Sequence, residues 1–154
     1  LIVDDNLTIC LMLKSWLVKN NYNVETTSSA QEAKQMVKDF PFDLILSDIR
    51  MPDVDGISLL NWTKKYDSDI QVIMMTGYAE IESVVESMKS GATDYISKPI
   101  DPEILFSKIE EAFQVQENIT SLREPRLELM ILHLNSEALM VRANGVRILL
   151  HFHT

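Results

Sequence analysis

Asp4, Asp5, Asp48, Thr76 and Lys98 are the residues of this 154-residue chain whose types and spacing can do chemistry, and the chemistry they suit is phosphoryl transfer. Each follows a short β-prone run that reads as the end of a buried strand. The acid pair follows Leu1-Ile2-Val3, Asp48 follows Leu44-Ile45-Leu46, Thr76 follows Gln71 to Met75, and Lys98 follows Asp94 to Ser97. In an open parallel sheet, ligands gather outside the carboxyl ends of the strands. Any one of these residues alone is unremarkable, as Asp is common wherever strands stop. Together, an acid pair, a lone acid, a hydroxyl and a lysine on one edge form a set with an electrostatic problem. Two like charges about 4 Å apart cost about 4 kcal/mol at an effective dielectric of about 20. Lys98 offsets one carboxylate, and the remainder calls for a hard cation held by oxygens. Mg2+ is the expected ion, taking one or two carboxylates, a backbone carbonyl and waters. Asp48 then serves as nucleophile, Lys98 and the metal neutralise charge on the moving group, and the Thr76 hydroxyl donates to one of its oxygens.

The elements that must position these groups follow from periodicity. Asn6 can cap a helix to about Lys19 with Ile9, Leu13, Trp16 and Leu17 on one face. Asn23 to Thr27 reads as a strand, and Ser29-x-x-Glu32 is a capping box for a helix to about Asp39 that buries Ala33, Met36 and Val37. After the strand that ends at Asp48, Ile57 to Tyr66 is amphipathic through Leu59, Leu60 and Trp62. Glu80 to Ser90 is helical, with acids in its first turn and Lys89 in its last, and Gly91 is its natural C-terminal stop. Asp101-Pro102-Glu103 opens the last helix, with Leu105, Ile109, Ala112 and Phe113 inward. Five strand-helix units predict a doubly wound α/β domain with a parallel sheet covered by helices.

Composition narrows the function classes. Nearly half the residues are apolar and the net charge is -9, an acid excess that argues against phosphate-backbone or anionic-membrane binding by the bulk of the chain. Cys10 is the only cysteine, which excludes a disulfide framework and suits a small buried apolar role. No run approaches the length of a membrane span and no signal peptide is expected, so the default is a soluble cytoplasmic protein. The opening Leu1-Ile2-Val3 is the end of a strand, and residues completing it are expected upstream. No glycine-rich Walker cradle appears, so a nucleoside triphosphate is not the obvious phosphoryl donor.

Residues 1 to about 120 resemble the receiver domain of bacterial two-component response regulators. Asp4-Asp5 resembles the family's acid pair, Asp48-Ile-Arg-Met-Pro-Asp-Val-Asp-Gly56 its phosphoacceptor loop, Thr76-Gly77 its hydroxyl position, and Lys98-Pro99 its lysine with the usual cis-proline. The resemblance implies a flavodoxin-like fold, strand order 2-1-3-4-5, that takes a phosphoryl group from a histidine kinase onto Asp48. It further implies Mg2+ ligated by Asp5, Asp48 and the Arg50 carbonyl, with Asp4 acting through a water. Tyr95 falls at the family's switch aromatic, which turns inward when the residue matching Thr76 moves toward the phosphoryl group; a half-buried strand tyrosine is the plain alternative. Arg50 and Tyr78 flank the site and can tune hydrolysis, or are ordinary loop residues. Residues Thr76 to Pro99 resemble receivers of the NtrC type, which govern sigma-54-dependent transcription. The helix from Glu80, the strand through Tyr95 and the helix from Pro102 would then be the signalling face and the surface of a homodimer.

The last part of the chain departs from this pattern. After about Ser121 there is no Lys, while four of the five arginines and all three histidines appear, which predicts a boundary between a domain over 1–120 and a segment over 121–154. Arg126 to Leu134 alternates partly like a strand. Asn144-Gly145 lies between two apolar runs, the strongest short hairpin signal, and a two-residue turn would set Arg142 opposite Arg147. His151 and His153 flank Phe152 and read as a solvated strand end in preference to a metal site. Neither a Walker motif nor a helix-turn-helix follows, so the segment stays open as a linker, a partial output domain, a dimerising hairpin or an extension foreign to the protein, with no direct nucleic-acid binding expected.

Two function classes remain. The leading one is a phosphorylation-switched signalling module, not a turnover enzyme, that accepts a phosphoryl group from a histidine kinase on Asp48 and controls transcription. The alternative is a Mg2+-dependent phosphatase working through an aspartyl phosphate. Such hydrolases need a second carboxylate two residues after the nucleophile, and that position here is Arg50.

Overall fold

The computed structural model describes residues 1–52, 55–77, 81–114, 139–143 and 146–150. They divide into two compact units, Leu1–Ala112 and Phe113–Thr154. In the first, β1 (Ile2–Val3), β2 (Thr26–Thr27), β3 (Leu44–Asp48), β4 (Gln71–Thr76) and β5 (Asp94–Ser97) alternate with α1 (Leu7–Lys19), α2 (Ala30–Asp39), α3 (Gly56–Tyr66) and α4 (Ile81–Lys89). A fifth helix, α5, starts at Pro102 and is described through 114. The sheet is parallel throughout, in the expected order β2-β1-β3-β4-β5.

Burial explains why the central strands read as continuous apolar runs. Val3, Ile45, Val72 and Met74 pack with Ala30, Ala33 and Val37 of α2 and Leu59 and Leu60 of α3. Their alternates Ile2, Leu46, Ile73 and Met75 are buried as well, so both faces of the sheet are covered. The helix starts follow their side chains. Asn6 accepts from the Thr8 and Ile9 amides, Ser29 from Glu32, Asp55 from Ser58, and Asp101 from Glu103 and Ile104. Gly91 closes α4 at φ +90°, a conformation that L side chains rarely adopt.

Some expectations shift by a residue or a class of burial. In α1 the buried stripe is Cys10, Leu13 and Leu17, while Ile9 and Trp16 are half-buried. The i, i+3, i+7 spacing of that stripe admits the small Cys10 against β1, where its Sγ donates to the Asp4 carbonyl at 3.3 Å. Met36, Trp62 and Phe113 are likewise half-buried. The strand expected over Asn23–Thr27 contracts to Thr26–Thr27, because at the sheet edge it pairs only with Ile2 and Val3. Among the described residues no helix is long and apolar enough to cross a membrane.

In the second unit, β6 (Leu139–Ala143) and β7 (Val146–Leu150) form an antiparallel pair with Arg142 opposite Arg147, the register a two-residue turn dictates. The turn residues Asn144 and Gly145 lie outside the described residues, as do Tyr78, Glu80, the Arg126–Leu134 run, His151, Phe152 and His153.

Candidate functional site

The register brings the strand-end groups onto one edge. Val3 is paired with Ser47 and Asp48 with Met75, so Asp4 and Asp48 leave adjacent strands side by side; Thr76 is paired with Ser97, next to Lys98. The Lys98 amide donates to the Thr76 carbonyl at 2.7 Å, fixing the chain after β5 against the end of β4, and the Lys98-Pro99 bond is cis. From there the Lys98 side chain reaches across the edge. Its Nζ lies 2.7 Å from Asp4 Oδ2 and 3.0 Å from Asp48 Oδ2.

The carboxylates differ in setting. Asp4 is fully buried, Asp48 and Thr76 are buried, and Asp5 is exposed. Asp4 Oδ1 accepts from the Asn6 amide at 2.9 Å, and Asp48 Oδ1 from the Arg50 amide at 3.4 Å. Burial raises the Asp48 carboxyl above its ordinary range, against the opposing hydrogen bond and charge of Lys98. Burial alone would lower the Lys98 ammonium, but the hydrogen bonds and charges of Asp4 and Asp48 outweigh it and the net shift is upward. A protonated Lys98 thus stands between two acids.

One carboxylate oxygen from each of Asp4, Asp5 and Asp48 lies within 4.8 Å of the others. Around a small octahedral cation with oxygens at about 2.1 Å, opposite ligands stand about 4.2 Å apart, so this cluster has the size such an ion needs. The charge agrees: three carboxylates against one ammonium leave an uncompensated negative pair. With only oxygens on offer, the donor set suits Mg2+ and disfavours softer metals.

Of the residues singled out in the sequence, the structure therefore gathers Asp4, Asp5, Asp48 and Lys98, and sets Thr76 at the adjoining strand end. Tyr95 stands apart, on β5, 38% exposed, with Lys108 Nζ 5.6 Å from its ring centroid and paired with Asp94. Gly56, which the sequence offered only as the end of the loop that begins at Asp48, is part of the site's frame. A Cβ built there would lie 1.9 Å from the Asp48 carbonyl oxygen, and its amide donates to Ile49 at 2.8 Å. Asn6, which serves both as cap of α1 and as donor to Asp4, was read only in the first role.

Comparison with known proteins points to one family. The family described as response regulator receiver domain matches residues 1–110. The transcriptional regulatory protein ZraR of Escherichia coli (strain K12) is 39% identical over 112 residues, which is 73% of this chain and 25% of that protein. The chain thus spans about a quarter of the length of that relative. A CheY-like response regulator receiver domain protein from Methanospirillum hungatei JF-1 superposes with TM-score 0.73 at 38% identity, covering 76% of this chain and 94% of that one. The beryllofluoride-activated NtrC4 receiver domain dimer gives TM-score 0.72 at 30% identity over 75% of this chain and 95% of its own.

Proposed function

Because the chain belongs to the family of response regulator receiver domains, we propose that Asp48 accepts a phosphoryl group from a histidine kinase and that the acyl phosphate switches the face formed by α4, β5 and α5. The observation that carries this reading is the Lys98 ammonium bridging Asp4 and Asp48 at the carboxyl edge of the sheet. An Asp48 oxygen attacks phosphorus, the P–N bond to the kinase imidazole breaks, and the imidazole keeps the electron pair and takes up a proton. Lys98 opposes the larger upward pull of burial on the Asp48 carboxyl, which favours its ionised, nucleophilic form, and then neutralises charge on the transferred group. The Thr76 hydroxyl donates to one phosphoryl oxygen. Asp5, Asp48 and the Arg50 carbonyl would hold Mg2+, with Asp4 acting through a water; when bound, the ion draws charge from the phosphoryl oxygens.

The experiment is intact mass after incubation with acetyl phosphate. One added phosphoryl group is expected with Mg2+ and none with EDTA, and peptide mapping after borohydride reduction should locate it on Asp48. Continuous release of phosphate without a stable adduct would instead identify the phosphatase chemistry.

The same reading covers the domain's output. New contacts of the phosphoryl group to Thr76 and Lys98 exist in only one arrangement, so phosphorylation shifts the population toward it. Exposed Val85 and Met88 on α4, Tyr95 on β5 and Ile104 on α5 offer that face an apolar surface. We infer a homodimer through it, in keeping with the similarity to an activated receiver dimer, and a role in transcription like that of ZraR. Sedimentation at equal concentration should give a larger mass for phosphorylated protein; identical masses would remove the dimer from the account. The boundary near residue 120, with 121–154 as a linker or partial output segment, belongs to the same proposal.

A further inference from the structure

A groove of about 720 Å³ lies between α2 and α3 and shares no residue with the acidic site. Its lining includes Ser29, Gln31, Lys34, Lys38 and Trp62. The Lys34 and Lys38 ammoniums each hover 5.9 Å from the centroid of the Trp62 ring, which is half-buried and stacked on Tyr66 at 5.1 Å and 10°. Two like charges four residues apart on a helix repel. Among the described residues neither lysine has a carboxylate partner. The acid in the lining, Glu32, accepts from the Thr27 hydroxyl and keeps its charge, so the lining sets two cations against one anion, while the nearby Asp39 accepts from the Gln35 amide. The result is a positive, aromatic-backed groove on a chain whose net charge is -9.

We propose that this groove docks an acidic peptide segment of a partner protein, two of its carboxylates meeting Lys34 and Lys38 and an apolar side chain lying on the open part of Trp62. Charge complementarity selects the occupant. A second copy whose two-fold axis passed through the groove would bring like-charged lysines face to face, and a head-to-tail copy would leave an open chain of subunits. An acidic segment of a different protein satisfies both ammoniums, and the negative remainder of the domain confines it to this patch. Nothing in this requires Asp48 to be phosphorylated.

The test uses the full chain carrying Trp16→Phe, so that Trp62 is the fluorescent reporter, titrated with a Glu-rich decapeptide containing one Leu, with its all-Gln counterpart and with single-stranded DNA as competing probes. Saturable change with the Glu peptide, weakening as salt rises from about 50 to about 300 mM, is expected. Lys34→Gln with Lys38→Gln should weaken binding about five- to tenfold, and Lys34→Arg with Lys38→Arg should restore it. No saturable change, equal binding of the Gln peptide, equal or tighter binding of DNA, or indifference to both lysine pairs would each overturn the proposal. Thermal melts of the variants separate loss of the groove from loss of the fold.

Discussion

Asp48→Asn is expected to remove the phosphoryl adduct altogether while leaving the domain folded and slightly more heat-stable. The amide is not a nucleophile, so the acyl phosphate has no acceptor. Its effect on stability follows from the charge at the edge. Asp4, Asp5 and Asp48 lie within 4.8 Å of one another and share a single lysine. The folded state raises the Asp48 carboxyl, so at neutral pH its ionised form is the costly one; this penalty grows as pH rises above the unfolded value and is absent below it. A neutral isostere removes one charge from the cluster, and Lys98 keeps Asp4 at 2.7 Å. A rise in Tm of roughly 2–6 °C is expected, corresponding to about 1 kcal/mol or less. Intact mass and a thermal melt on the same sample decide it. An adduct at the wild-type level would place the acceptor elsewhere, and a clear fall in Tm would make the Lys98–Asp48 pair a net source of stability.

Gly56→Ala should be the most damaging single methyl in the domain. The added Cβ would lie 1.9 Å from the Asp48 carbonyl oxygen and 2.9 Å from its carbon, both backbone atoms that no rotamer change can move aside. Relief requires the start of α3 to back away from the end of β3, which also strains the 2.8 Å bond from the Gly56 amide to Ile49. Overpacking of this kind costs on the order of 3 kcal/mol. The expected fall in Tm is on the order of 10 °C, with slower phosphorylation in whatever remains folded because Asp48 shifts with its carbonyl. Gly77→Ala is the control, since nothing lies within 4 Å of a Cβ there. If both variants melt with the wild type, the close approach at Gly56 is wrong.

The contrast between these two positions shows what the sequence could and could not disclose. Asp48, Thr76 and Lys98 were legible because a parallel sheet converts position along the chain into position on an edge: wherever a buried run stops, the next polar residue is at the site. The same logic made Arg142 and Arg147 partners, since a two-residue turn leaves one register. Gly56 was not legible in its framing role, because its neighbour is a carbonyl eight residues back in a different element, and no periodicity reports such an approach. The groove of Lys34, Lys38 and Trp62 was missed for a related reason. Each lysine looks like solvated helix surface, and only the packing of α3 beside α2 sets an indole beneath them. Cys10 was correctly read as a small buried residue, but α1 turned by one position to receive it, at the expense of Ile9.

The bond from the Lys98 amide to the Thr76 carbonyl, 2.7 Å long, continues the β4–β5 ladder and joins the two strand ends into one plate. Tyr95 is three residues from Lys98 on that plate, about 10 Å along an extended strand. On the switch proposed above, a pull on Thr76 or Lys98 would reach the ring through covalent bonds and this ladder. Tyr95 itself is 38% exposed, with Lys108 Nζ 5.6 Å from its ring centroid. In that proposal the domain is a short transmission with an exposed needle at its end, through which phosphorylation at the edge would change the surface the protein presents.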